Sequence, residues 1–88
     1  MKIKDTFILR NVAGNNIVLP VGASSDAFSG MMTLNDSGVF LWNSLKKDTD
    51  MDELINAMLS EYNVSADQAK QDVEEFVKSL RSAGVLEE

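Results

Sequence analysis

Hydrophobic and polar residues change rhythm once along the chain, from a two-residue alternation before Asn35 to a three-to-four-residue recurrence after it. Between Thr6 and Val12 the run Phe7-Ile8-Leu9-Arg10-Asn11-Val12 is β-branched and aromatic. Gly14-Asn15-Asn16 then supplies residues that tolerate positive φ, and Ile17-Val18-Leu19 resumes, so a hairpin is expected. Pro20 lacks a ladder donor and Gly22 follows it, which ends the second strand and predicts a loop from Ala23 to Asp26. A third strand is expected over residues 28–34. Phe28, Gly30, Met32 and Leu34 would share one face and Ser29, Met31 and Thr33 the other, the alternation of a sheet packed on one side.

Asn35, followed by Asp36 and Ser37, suits a helix start and its positive dipole end. A short helix to about Leu45 would place Gly38, Leu41, Trp42 and Leu45 on one face, with Phe40 pointing almost oppositely. After the polar break Lys46-Lys47-Asp48, either Thr49 or Asp50 caps a second helix striped by Leu54, Ile55, Met58, Leu59 and Tyr62. Ser65 with Gln68 reads as a capping box opening the longest helix, striped by Ala69, Val73, Phe76, Val77 and Leu80 and supported by the pair Glu74 and Lys78. Gly84 fits the left-handed position past its end, with Val85 folding back on Leu80. Strands segregated from helices imply an α+β domain: a three-stranded antiparallel sheet followed by three helices, winged helix-turn-helix-like, in one unit over residues 1–88. Trp42 and Leu80 are expected in its core.

Eighty-eight residues suffice for one domain that buries about 60–65 % of its unfolded surface. Usage is ordinary for a globular chain, at 44 % hydrophobic and 25 % charged. Fourteen acids against eight bases give a net charge of -6, a field that repels phosphate backbones and anionic lipid, so neither nucleic acid nor membrane is an expected partner. Cysteine and histidine are both absent. Thiolate nucleophiles, Cys-ligated metals and the commonest general base are excluded with them, and no enzyme, cofactor or metal site is expected. No apolar run approaches the roughly 18 residues of a membrane span, and the N-terminus has no signal-like core, which makes the cytoplasm the expected compartment.

Several motifs come close to chemistry and stop short of it. Asp48-Thr49-Asp50-Met51-Asp52 resembles the opening of a calcium loop, but Glu53 stands at the turn glycine and Leu59 at the bidentate acid, so helix capping is the reading these acids support. Asp36-Ser37 suggests the carrier serine of an acyl carrier protein. Gly38 replaces the leucine expected there, and the strand-rich first third departs from an all-helical carrier. A winged helix that reads DNA would share the fold, yet the third helix carries Asp67, Asp72, Glu74 and Glu75 against Lys70, Lys78 and Arg81. Met31 and Met32 either fill core gaps or form an adaptable binding surface, and Phe40 is either exposed or sandwiched.

The strand ending Leu9-Arg10, the strand Ile17-Val18-Leu19-Pro20 and the stretch Leu34-Asn35-Asp36-Ser37-Gly38-Val39-Phe40-Leu41-Trp42 resemble the PqqD family. Glu53-Leu54-Ile55, Glu61-Tyr62, Asp72 through Leu80 and Gly84-Val85-Leu86 extend the likeness over nearly the whole chain. The resemblance implies a RiPP recognition element. Such a non-catalytic, peptide-chaperone-like domain binds the leader of a ribosomally made precursor and presents it to a modifying enzyme, a radical S-adenosylmethionine protein in the founding pathway of pyrroloquinoline quinone biosynthesis. It further implies that the leader adds as a strand on the third strand, Ser29, Gly30, Met31, Met32, Thr33 and Leu34, in a cleft whose wall includes Asp72 and Phe76. Gly30 and the soft Met31-Met32 pair depart from the family there. The charge of -6 leads us to expect a bound peptide with Lys or Arg flanking an apolar or aromatic anchor.

Overall fold

The computed structural model describes residues 1–21 and 32–87. In chain order the elements are β1 (Lys2–Ile3), β2 (Phe7–Val12), β3 (Asn15–Pro20), β4 (Met32–Leu34), α1 (Asp36–Ser44), α2 (Met51–Glu61), α3 (Ala66–Ser82) and β5 (Leu86–Glu87). Strands β2, β3 and β4 form an antiparallel meander in that order, and the three helices follow, as the periodicities predict. The hairpin turn sits one residue earlier than expected. Val12 pairs with Asn15, so the loop is Ala13-Gly14, with φ of 52° and 85°, while Asn15 and Asn16 already belong to β3. Two central residues at positive φ match the right-handed twist of the flanking strands, and Ala13 adopts a conformation that Asn or Gly would adopt at lower cost.

Of the expected third strand, Met32, Thr33 and Leu34 form β4, with Leu34 buried, Met32 half-buried and Thr33 exposed, the expected alternation. Phe28, Ser29, Gly30 and Met31, and the expected loop from Ala23 to Asp26, lie outside the described residues. The two-residue ribbon of β1 with β5, pairing Ile3 with Leu86, was not legible in the sequence. It is anchored by bonds from the Ile3 N–H to the Leu45 carbonyl (2.8 Å) and from the Lys4 N–H to the Val85 carbonyl (2.9 Å). Beside it the terminal ammonium donates to Asp48 Oδ1 at 2.7 Å, and this hydrogen bond and its charge hold the Asp48 carboxyl below its ordinary pKa.

The helices start where their caps place them. Asn35 Oδ1 accepts from the Gly38 N–H (2.9 Å), and Asp50, rather than Thr49, accepts from the Glu53 N–H (2.8 Å). Ser65 Oγ accepts from the Gln68 N–H (3.1 Å), but the box is only half formed: the Gln68 amide donates forward to Asp72 Oδ1 (2.8 Å) instead of back. Helix α3 ends as expected. Gly84 has φ of 75°, its N–H reaches the Arg81 carbonyl and that of Val85 reaches the Leu80 carbonyl at 3.0 Å, while Val85 and Leu80 are both fully buried. The expected Glu74–Lys78 ion pair is not formed; among the described residues the recorded ion pair is that of the terminal ammonium with Asp48.

Trp42 and Leu41 (each 2 % exposed) and Leu45 on α1, Leu54 and Met58 on α2, and Val73, Val77 and Leu80 on α3 converge with Val18 of β3 into one core. Among the described residues no polar or charged side chain is buried in it. Leu59, expected in the α2 stripe, is 37 % exposed, because at about 100° per residue it lies on the far shoulder from Leu54 and Met58. Phe40 takes the sandwiched alternative. It is half-buried, with its ring edge-to-face on Tyr62 at 5.6 Å.

Candidate functional site

The sheet register decides which backbone groups of β4 are free. The Val21 N–H donates to the Thr6 carbonyl (2.8 Å), so the pair of Thr6 and Val21 is of the hydrogen-bonded kind, and alternation gives the same kind to Ile8 with Leu19, Arg10 with Ile17, and Val12 with Asn15. Ile17 therefore turns its backbone toward β2, and its opposition to Thr33 on the other side carries no ladder bonds. Asn16 with Leu34 and Val18 with Met32 hold β4 in place. The Thr33 N–H and C=O consequently point away from β3, along the outer edge of the sheet, where no described strand pairs with them.

Facing this edge is one side of α3. Asp72, Glu75, Phe76 and Ser79 recur at intervals of three, one and three residues, which puts them on one stripe beside the buried stripe of Val73, Val77 and Leu80. Between them lies Gly38. A Cβ there would stand 3.2 Å from Leu34 Cβ, 3.2 Å from Asn35 Oδ1 and 3.4 Å from Phe76 Cε1, so the missing side chain allows the start of α1, the end of β4 and α3 to approach one another. The result is an open groove of about 440 Å³ lined by Met32, Thr33, Leu34, Gly38, Phe76 and Ser79. It continues into a more polar arm of about 290 Å³ that includes Ser37, Asp72 and Glu75.

Of the residues expected to form the site, Met32, Thr33, Leu34 and Phe76 line the main groove and Asp72 its polar arm. Ser29, Gly30 and Met31 lie outside the described residues. Sequence reading missed Asn35, Ser37, Glu75 and Ser79 as lining groups. Glu75 and Ser79 carried the signal, since they stand three and seven residues beyond Asp72 on the same helical stripe. A second groove of about 320 Å³ flanks the opposite sheet edge at β2, among Ile3, Lys4, Phe7, Leu9, Trp42 and Lys46, which makes β2 the rival edge. Among the described residues no group of three acids could hold a metal ion, and no helix is long and apolar enough to cross a membrane.

Two solved structures share this architecture. One, described as TbiB1 in complex with the TbiA(beta) leader peptide, aligns with a TM-score of 0.76 at 22 % identity, covering 99 % of this chain and 95 % of the other. A lasso peptide synthetase B1 complexed with the leader peptide aligns with a TM-score of 0.72 at 20 % identity, covering 96 % of this chain and 93 % of the other. At such identities the likeness speaks for the fold. No curated protein matches the sequence. The sequence itself matches the family described as coenzyme PQQ synthesis protein D (PqqD) over residues 11–86, most of its length. The resemblance read from Leu34 through Trp42 and the observed order of strands and helices thus meet in one conclusion: the chain belongs to the PqqD family.

Proposed function

We propose that this chain is a non-catalytic adaptor that takes the leader segment of a ribosomally made precursor peptide as an added strand on β4 and presents it to a modifying enzyme. The observation that carries this reading is the outward-facing Thr33 backbone beside an apolar groove floored by Gly38 and walled by Phe76. A strand laid there would gain main-chain hydrogen bonds from the edge, which tolerate many sequences, and would lower alternate side chains toward α3, which selects among them. Both solved neighbours were captured with a leader peptide, which supports a peptide as the ligand class here. The partner enzyme would be a radical S-adenosylmethionine maturase, by analogy with the family's founding pathway, and the cytoplasm, where precursors are translated, would be the workplace. The DNA-reading alternative has no support from α3, whose exposed acids would meet phosphates with repulsion.

The test is amide hydrogen exchange with and without a synthetic leader peptide from a candidate precursor that the chain retains. Protection is expected at Thr33 and along the Phe76 side of α3. Protection confined to residues 7–12 would instead place the peptide on the rival edge at β2 and sink the assignment of the groove.

A further inference from the structure

We infer that the groove selects leaders in which a Lys or Arg stands two residues before an apolar or aromatic anchor. The inference rests on the peptide-binding reading above and assigns the groove's two halves different tasks. The half beside β4 is apolar, with Met32, Leu34 and Phe76. The half beside the start of α1 is not, and its hydrogen-bonding valence is lopsided.

Ser37 Oγ donates its proton to Asn35 Oδ1 (3.1 Å) and Ser79 Oγ donates to the Glu75 carbonyl (3.0 Å), so both hydroxyls are left with lone pairs to offer. Asp72 Oδ1 accepts from the Gln68 amide (2.8 Å), which holds the carboxylate in place and leaves its other oxygen open. Glu75 adds a second carboxylate one turn along. Among the described residues neither acid has a cation within ion-pair distance, and no Lys or Arg lines either part of the groove. Apart from the Asn35 amide nitrogen, which donates, the open side-chain valence of this half is that of acceptors, two carboxylates and two hydroxyls, and it is matched by side chains that are all donor, those of Lys and Arg. The N-terminal dipole of α1 opposes a cation with about half a charge, but Asp36 in its first turn and the two groove carboxylates outweigh it.

Spacing and order follow from the backbone. Phe76 and Asp72 are four residues apart, a rise of about 6 Å along α3. Side chains two residues apart on one face of a strand are separated by about 6.8 Å. The apolar half lies along residues 32–34 and the acceptor half along residues 35–38, so a peptide running antiparallel to β4 meets the acceptors first. Its cation therefore precedes its anchor.

The experiment selects a library of random twelve-residue peptides on the intact chain, then compares the best binder with its copy in which the cation is replaced by norleucine, on the parent and on the double variant Asp72→Asn, Glu75→Gln. Both changes lie on the groove's polar arm, outside the core, and the amide oxygen that replaces the Asp72 carboxylate can still accept from Gln68. The expected result is enrichment of Lys or Arg two positions before the anchor. We expect about a two- to fivefold preference for the cation per carboxylate, read as the ratio of the two peptides' affinities on the same chain, and a ratio near one in the double variant. Three results would overturn the inference: equal binding of the two peptides, a cation enriched with no fixed spacing, or a preference that survives in the double variant, which would belong to the net charge instead. If selected peptides are indifferent to Phe76→Ala, or none is retained, the groove reading itself fails and this inference falls with it.

Discussion

At the scale of single residues, Thr33 and Trp42 separate the proposed binding from stability. Because Thr33 makes no ladder bond to β3, Thr33→Pro removes an edge donor without breaking the sheet, the position in a strand where proline is tolerated. We expect its melting temperature to stay within a few degrees of the parent while peptide affinity falls about tenfold, the loss of a hydrogen bond and of the fit around it. A proline variant that binds as well as the parent would mean that the peptide docks elsewhere. Trp42 behaves in the opposite way. It is 2 % exposed on the buried face of α1, so Trp42→Ala should cost about 3–5 kcal/mol in denaturant unfolding, a large part of a small domain's stability. A change of less than about 1 kcal/mol would show that its burial contributes little.

At the scale of elements, what was legible is what local physics dictates. The caps Asn35 and Ser65, the stripes of α1 and α3 and the Schellman end at Gly84 are each decided within a few residues of sequence, and each formed. What was illegible depends on partners distant in the chain. Two-residue strands such as β1 and β5 have no periodicity to read and exist because Ile3 meets Leu86 across the fold. The same division holds in the site. Phe76 stands out on its stripe, whereas Ser79 and Asn35 come to line the groove only when α3 is laid against β4. Gly84 offers a clean local test. A Cβ there would meet nothing within 4 Å, so Gly84→Ala is charged only with the left-handed backbone and should destabilise the domain by about 1–2 kcal/mol by thermal unfolding. No measurable loss would mean that the turn rearranges and that the two terminal hydrogen bonds of α3 are dispensable.

At the scale of the molecule, the described sheet has two outer strands, β2 and β4, and a net charge of -6 surrounds them. A strand edge that stays open to receive a guest is equally a template for another copy of itself, and nothing in its backbone tells a leader from a sibling. Two copies meeting edge to edge about Thr33 would satisfy the same donor and acceptor that a peptide satisfies. On the proposed reading the acidic surface would be a safeguard against homotypic pairing, with like charge holding copies apart while short cationic peptides stay free to approach. That safeguard vanishes near the isoelectric point of about 4.4. Light scattering should therefore report growing self-association as the pH falls from 7 toward that value, with salt acting in the same direction at neutral pH, and Thr33→Pro should blunt both. Association unaffected by that variant would assign the self-recognition to β2 instead. If β4 is the peptide-receiving strand we propose, the same open edge that receives the peptide would bound the concentration at which the protein stays single, and its acidity would raise that bound.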